Sequence, residues 1–396
     1  MTIKALYPNV RPTLNLNFAR TKTLDPRVTF SRASTATYMG SNGLIQTAAS
    51  NAPRFDHNPS TGESLGLLVE DARTNLIQRS GQIGTSPWGI VTNGYHTSTV
   101  EQNSLQSPDG TLSATKVTIT RINNDFSGIY QDISSVTGDY TFSAWMRLAD
   151  GVSDKNLQIY SDNAIGNRIN VTLTSAWKRL TVTFTGGTYT RIGVGNWYSS
   201  LPSNWIDSTP FYIWGAQLEA GSFPTSYIPT TSATVTRAAD VASMTGTNFT
   251  SWYNYTSSTC IIDGVPLSLS GSPRLVTMSG TGGENRLWTN FDFYTSSYAS
   301  GGGGLPMNTG YAISTTSFQK YAYAYDYSLE SNLTTKKTTT LGLSVISNTA
   351  SGYNIPLSGN ALYLAGAGDA SGCKWIKRFT YYSVRLPDAQ LQALTA

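Results

Sequence analysis

The only imidazoles in the chain are His57 and His96, and a serine, cysteine or threonine nucleophile normally needs such a base beside it. His57 lies in the turn-like stretch Arg54-Phe-Asp-His-Asn-Pro59 and His96 in a polar strand, with no Gly-x-Ser-x-Gly elbow near either. Both read as histidines held by local hydrogen bonds. Glycoside hydrolysis asks for two carboxylates converging on one cleft. Glu219, at the end of an aromatic strand, and Glu284 are the candidates. Asp150, Asp154 and Asp162 are spaced either to line a structural Ca²⁺ site or to be solvated turn aspartates. No other cofactor is implied. Gly301-Gly-Gly-Gly304 lacks the lysine and following helix of a phosphate-binding loop. The chain reads as non-enzymatic, with no catalytic residue assigned.

Two aromatic groups suit binding instead. In Asn196-Trp-Tyr-Ser-Ser-Leu-Pro-Ser-Asn-Trp205, residues Trp197, Tyr198 and Trp205 sit among polar neighbours. Aromatic faces stack on the apolar side of a pyranose ring while Asn and Ser hydrogen-bond its hydroxyls; the alternative is a plug for the end of a sandwich or a subunit contact. In Tyr321-Ala-Tyr-Ala-Tyr-Asp-Tyr327, the tyrosines Tyr321, Tyr323, Tyr325 and Tyr327 share one strand face. Four phenol hydroxyls in a dry core would each need a partner. That face is expected to be exposed or intersubunit, with a core edge as the alternative.

The elements that carry these residues are strands. At 396 residues the chain suggests two or three domains. Charged residues are 13%, about half the usual share of roughly 25%. Glycine (36), tyrosine (23) and abundant Ser and Thr fill the difference, a balance that suits short strands and tight turns. The 11% aromatic content excludes a disordered chain. The net charge is +4 without clustering: Lys178-Arg179, Lys336-Lys337 and Lys377-Arg378 are isolated pairs, so a nucleic-acid footprint is excluded. Cys260 and Cys373 have no metal spacing and read as two reduced, semi-buried thiols. The N-terminal residues contain no apolar run of signal-peptide length and no stretch approaches a membrane span, so a soluble, cytoplasmically made protein without membrane insertion is expected.

Residues 1–80 read as an N-terminal attachment segment built on a short β-hairpin. They carry the Leu14-Asn-Leu-Asn-Phe18 and Val28-Thr-Phe-Ser-Arg-Ala-Ser-Thr-Ala-Thr-Tyr38 strands and a Gly40-Ser-Asn-Gly43 turn. Too few apolar residues are present for a core of their own, so a cover on the next domain or on a partner is expected. Residues 81–230 alternate through Tyr140, Phe142, Ala144 and Met146 and through Leu180, Val182 and Phe184, and close with Phe211-Tyr-Ile-Trp-Gly-Ala-Gln-Leu-Glu219. In that last strand, strict alternation puts Tyr212, Trp214, Ala216 and Leu218 on one face and Phe211, Ile213, Gly215 and Gln217 on the other. Residues 237–396 form a second sandwich after the Pro/Thr/Ser linker. A terminal helical turn follows Leu386, with Leu391 and Leu394 tucked inward.

Three stretches carry a resemblance. Phe211 to Thr230, with its Gly-Ala-Gln-Leu-Glu and Ser-Tyr-Ile-Pro-Thr segments, resembles the closing strand and exit of a carbohydrate-binding-module-like jelly roll found in bacteriophage virion proteins. The order Thr29-Phe-Ser-Arg-Ala-Ser-Thr, Pro53-Arg-Phe-Asp-His-Asn-Pro59 and Gly66-Leu-Leu-Val-Glu-Asp-Ala-Arg-Thr-Asn-Leu-Ile77 resembles the N-terminal region of the same class. Trp375 to Leu394 resembles the end of a concanavalin A-like lectin/laminin-G domain. Together these resemblances imply an all-β chain of two tandem β-sandwiches, jelly roll then concanavalin A-like, after the attachment segment. They imply a tail-fibre or receptor-binding-fibre protein of the virion, made in the host cytoplasm. Its partners would be other virion structural proteins, further copies in a homotrimer and host surface glycans. The alternatives are a purely structural head fibre, capsid decoration or baseplate part, and third a polysaccharide depolymerase.

Overall fold

Leu14-Asn-Leu-Asn17 alternates apolar and polar residues, and its apolar face is matched by the far end of the chain. In the computed structural model the Leu14–Asn17 strand pairs antiparallel with the Lys374–Tyr382 strand, Leu14 opposite Tyr381 and Leu16 opposite Phe379. All four side chains enter one core. The structure describes residues 7–93, 96–121, 126–161, 168–197, 203–254, 256–266, 274–280, 286–290, 295–298, 304–306, 317–326, 333–339, 345–350, 359–364 and 374–395. The fold is all-β, with 57% strand and 6% helix, and it contains two β-sandwiches.

The chain divides into two compact units. Met1–Asn42, Ala48–Asp71 and Ala238–Ala396 form the first; Gly43–Thr47 and Ala72–Arg237 form the second, which is inserted within the sequence of the first. This corrects the reading of residues 1–80 as a separate attachment segment. Residues up to Asp71 are part of the C-terminal sandwich, and Ala72 onward belongs to the insert. The physical reason is the one visible in composition: strands too poor in apolar residues to close their own core complete someone else's sheet.

In the first unit, one sheet runs Val345–Ala350, Leu333–Thr339, Gln319–Asp326, Ser257–Pro266, Lys374–Tyr382, Ser64–Val69 and Arg54–His57, with Leu14–Asn17 also on Lys374–Tyr382. The facing sheet begins Thr29–Ser31, Val241–Thr245, Gly359–Leu364 and Arg274–Gly280. Leu67, Ile262, Ile376 and Phe379 from the first sheet meet Met244, Leu275, Met278 and Leu362 from the second. Cys260 is a free thiol in this core, its pKa pushed up by burial; Cys373 lies outside the described residues. The expected terminal helix is present as Asp388–Thr395, with Leu386 and Leu391 buried and Leu394 packed beside them against Ile261, Ala322 and Ala324. Among the described residues, no helix is long and apolar enough to cross a membrane.

A charge network ties the N-terminal residues to the start of the C-terminal portion. Asp240 accepts from Arg32 at 3.0 Å, from Arg54 at 2.5 Å and from the Glu70 backbone N–H at 2.9 Å, while Arg54 also donates to Glu70 at 2.7 Å. All four side chains are buried. Burial works against the charge on Arg54, but the Glu70 and Asp240 carboxylates outweigh it and hold its pKa above the usual value.

Asp56, from the same Pro-Arg-Phe-Asp-His stretch, accepts from the Met39 backbone N–H at 2.6 Å and from Trp375 Nε1 at 2.8 Å. His57 meets the Met39 carbonyl through Nδ1 at 3.1 Å, the local bonding expected of it. Burial raises the Asp56 pKa to about 6. A carboxyl titrating higher in the folded than in the unfolded chain destabilises the fold above its folded pKa, and the penalty is relieved as pH falls toward its unfolded value of about 4. Asp56→Asn, which cannot ionise, is therefore expected to lose ground against the natural chain as pH is lowered from 7.5 to 4.5. The shift should be on the order of 2 kcal/mol. Urea unfolding of both proteins across that range checks it; a constant gap would refute it.

The inserted unit is a jelly-roll-type β-sandwich. Its strand order is Arg168–Leu173, Lys155–Ser161, Lys178–Trp197, Phe126–Leu148, Phe211–Ala220, Leu112–Arg121, His96–Gln106 and Thr92–Asn93, with Trp88–Ile90 also on Phe126–Leu148. Phe142, Ala144 and Met146 fill its core with Leu180, Val182 and Phe184, as their alternation predicts. The alternation of the closing strand breaks at Gly215. Its φ of +66° is left-handed backbone that suits glycine. The register against Phe126–Leu148 slips by one residue there: Ser143 faces Gln217 but Trp145 faces Trp214. Phe211 and Ile213 therefore share the core with Ala216 and Leu218, while Trp214 turns to the opposite side with Trp145 and Tyr227.

Candidate functional site

Phe126, Gly128, Tyr130 and Asp132 occupy one face of their strand, and in register opposite them stand Trp197, Gly195, Gly193 and Arg191. Tyr160 lies across from Gly193 on the next strand, and Arg168 across from Tyr160 on the one after. Glycine decides what this face looks like. A Cβ on Gly193 would fall 2.1 Å from the Tyr160 ring, one on Gly195 2.7 Å from Phe126, and one on Gly89 2.4 Å from Tyr130. Because those carbons are missing, the rings lie down on the backbone.

The rings then pack on one another and are capped by arginines. Phe126 lies 4.6 Å from Tyr160 and 5.2 Å from Trp197 between centroids. The Arg168 guanidinium sits 4.0 Å over the Trp197 ring, and Arg191 sits 4.1 Å over Tyr130. Each stack contributes about 0.5–2 kcal/mol and holds a flexible cation in one place. Arg191 Nε donates to Asp132 at 2.6 Å, and that bond raises the Arg191 pKa. Tyr160 is only 1% exposed, and burial pushes its phenol above the ordinary range. Gln158 accepts from the Trp197 backbone N–H at 2.8 Å and donates to Asn170 at 3.2 Å.

Trp197 and Trp205, paired in the sequence reading, flank the same strand. A parallel bridge joins Trp205 to Asn156, whose backbone bonds to Asn204 and Ile206 at 2.9 Å each. Tyr198 lies outside the described residues. Neither Arg168, Arg191, Tyr130, Tyr160 nor Phe126 was legible as part of this site. The available signal was the Gly193-Val-Gly195 spacing, which clears one strand face just before Trp197.

Of the two placements open to the tyrosine face of residues 321–327, its first member takes the core one. Tyr321 is buried in the core of the first unit, and its hydroxyl donates to Gln319 Oε1 at 2.5 Å. An acceptor two residues away on the same strand face removes the penalty that argued for exposure. Tyr323 and Tyr325 pair with Cys260 and Ser258; their side chains, and Tyr327 entirely, lie outside the described residues.

Of the residues weighed for catalysis, Glu219 sits in a structural hydrogen-bond network. Glu219 is fully buried, accepting from Thr225 N at 2.8 Å, Thr225 Oγ1 at 2.7 Å and Gln217 Nε2 at 2.6 Å. Gln217 accepts from Ile228 N at 2.7 Å, and Asn75 bridges the Ala216 and Ile228 carbonyls at 3.1 and 2.9 Å. The Ala72-Arg-Thr-Asn-Leu-Ile77 and Gly215–Thr230 stretches are thus two halves of one buried knot. Glu284, Asp162 and the His96 side chain lie outside the described residues. Asp150 pairs with Arg147, and the Asp154 carbonyl accepts from Asn204 at 2.6 Å. Among the described residues no three His, Cys, Asp or Glu side chains gather to hold a metal.

No protein-family model matches the chain, and comparison with curated proteins returns no match. Solved structures are similar at a low level. The CBM40 of a Ruminococcus gnavus IT-sialidase, bound to alpha2,3 sialyllactose, is 14% identical with a TM-score of 0.31, over 38% of this chain and 88% of that one. The CBM22-1–CBM22-2 tandem domain of Paenibacillus barcinonensis Xyn10C is 8% identical with a TM-score of 0.27, over 79% and 98%. Domain 4 of AbnA, a GH43 extracellular arabinanase of Geobacillus stearothermophilus in complex with arabinotriose, is 13% identical with a TM-score of 0.32, over 45% and 82%. Likenesses this low carry no argument about what this chain binds.

Proposed function

We propose that this chain is a non-catalytic surface protein of a bacteriophage virion, of the tail-fibre or receptor-binding type, that adheres to host glycans through the arginine-capped aromatic strip of its inserted unit. The observation that carries the adhesive part is the strip itself: on one sheet face, glycines lay aromatic rings flat and arginines are held over them, with Trp197, Tyr130, Arg168 and Arg191 all partly exposed. The virion assignment rests on the resemblance of the Arg-Ala-Ser-Thr, Pro-Arg-Phe-Asp-His and Gly-Ala-Gln-Leu-Glu stretches. Assembly as a homotrimer with other virion proteins as partners is part of the same proposal. A chain with only 13% charged residues favours such packing, because desolvating its surface costs less than desolvating one rich in Lys and Glu.

A purely structural role is the second reading, and one observation favours it: the rings of the strip are covered by guanidinium groups rather than bare. The two separate on full-length protein incubated with purified surface polysaccharides of the host. Adhesion predicts retention that falls about tenfold or more in Trp197→Ala, without release of reducing ends. Absence of retention from every polysaccharide would leave the structural role. Release of reducing ends that disappears in Glu219→Gln would overturn the non-catalytic assignment.

A further inference from the structure

We infer that Trp177 and the Gln106–Leu112 hairpin form a second glycan site on the inserted unit, one that takes neutral pyranoses; this rests on the glycan adhesion proposed above. Stacking on a neutral sugar needs a ring face with no cation over it. Trp145 has Arg179 at 4.6 Å over its ring, and Trp197 has Arg168 at 4.0 Å. Trp177 is partly exposed, and among the described residues neither a cation nor another ring lies over it. Two anchors hold that ring before any ligand arrives. Its Nε1 donates to the Gln106 carbonyl at 3.1 Å, and its body packs against the cluster of Ala114, Trp145, Trp214 and Tyr227. A ring fixed in this way loses little freedom on binding.

The hairpin supplies the acceptors. Gln106 is exposed and donates through Nε2 to the Gly110 carbonyl at 2.8 Å, which leaves its Oε1 open. Asp109 accepts through Oδ1, from Ser107 Oγ at 2.6 Å, Thr111 N at 3.0 Å and Thr111 Oγ1 at 2.7 Å. Those three bonds fix the carboxylate, and among the described residues its Oδ2 receives no donor. Burial raises the Tyr227 pKa and the Asp109 charge adds to the rise, so that carboxylate stands within electrostatic reach of the cluster that Trp177 borders. Leu112, 65% exposed and opposite Gln106 in register, extends the apolar surface. A fixed ring beside acceptors that lack donors fits a ligand with one apolar face and many hydroxyls. A uronate or sialate would set its own carboxylate against Asp109. Arg179, next along the face from Trp177, is already bonded to the Thr225 carbonyl and to Ser143 Oγ.

The test is calorimetric titration of the full-length chain with cellotetraose, maltotetraose, chitotetraose and tetragalacturonate. The expected result is that one of the three neutral tetramers binds at least about tenfold tighter than the uronate. Trp177→Ala should weaken that binding about tenfold or more and Asp109→Asn about fivefold, while Trp197→Ala leaves it within about twofold. Asp109→Asn keeps Oδ1 for its three donors and replaces only Oδ2, so it serves even where Trp177→Ala perturbs the fold. Neutral binding that both variants leave unchanged and Trp197→Ala abolishes would confine adhesion to the strip and overturn this inference alone. A fall in mass by light scattering in Trp177→Ala, with no neutral tetramer bound by the natural chain, would mean that a second copy covers the ring, and would likewise overturn it. Binding of none of the four tetramers overturns the inference in any case; the adhesion reading falls with it only when retention on host polysaccharides is also absent.

Discussion

Deleting residues 1–71 is expected to leave residues 238–396 unfolded while the inserted unit stays folded. The deletion strips Leu14–Asn17 and Ser64–Val69 from the Lys374–Tyr382 strand and Thr29–Ser31 from Val241–Thr245. It also empties the core of Leu14, Leu16, Phe18, Leu67 and Val69. Each large side chain lost from such a core costs about 2–5 kcal/mol, and five together exceed the total stability of about 5–15 kcal/mol that an ordinary domain has. Amide hydrogen exchange read by mass spectrometry separates the units. Peptides from 257–266 and 374–382 should exchange at the unfolded rate, whereas those from 140–148 and 178–184 should keep their protection. Retained protection in the first pair would mean that the C-terminal sandwich folds alone, and that the N-terminal strands are only an attachment. Residues 237–396 are accordingly the wrong boundaries at which to isolate a lectin-like domain for binding assays.

Asp240→Ala should produce the second large effect, from one side chain. The substitution takes the Asp240 carboxylate away from the buried Arg32 and Arg54, and it removes the acceptor for the Glu70 backbone N–H. Breaking a buried ion network by removing one partner typically costs about 3–5 kcal/mol, because the remaining charge is neither solvated nor paired. Asp240→Asn keeps the shape and one acceptor but loses the charge, and is expected to cost less. Replacing Arg32, Arg54, Glu70 and Asp240 together by apolar residues of similar volume should cost less still, since no orphaned charge remains. Urea unfolding followed by exchange of the 241–245 and 374–382 peptides gives the ordering. A change under about 1 kcal/mol in Asp240→Ala would show that water reaches the network and replaces the lost carboxylate.

Local alternation carried much of this fold into view. Phe142, Ala144 and Met146 are inward because a strand turns every second residue the same way, and the Asp388–Thr395 helix forms where its leucines follow a proline and an aspartate in the first turn. What stayed hidden depends on pairing between distant residues. Nothing in Leu14-Asn-Leu-Asn17 names Tyr381 as the partner of Leu14, so the N-terminal strands look like an appendage when read alone. Gly215 looks like one more glycine until the strand beside it shows that register slips there. Arg168 and Arg191 read as scattered surface charges, because the rings they cover lie on other strands. The aromatic residues of the site were partly legible for the opposite reason: Trp197 announces itself by type. Whether its ring faces water or a cation is a property of three strands together.

The inserted order of the chain also sets a timetable for its birth. During synthesis at about 5–20 residues per second, the Leu14–Asn17 strand waits roughly 20–70 s for residues 374–382 to leave the ribosome. The inserted unit, complete by Arg237, has its whole sequence available well before then. Folding it first converts a flexible excursion of more than 150 residues into a body with fixed ends, which lowers the entropy cost of bringing residues 1–71 to their partners. Throughout the interval Leu14, Leu16 and Phe18 are apolar surface in search of cover, so the early chain is a natural client for holding chaperones, and ribosome stalling before residue 374 leaves it with nowhere to fold.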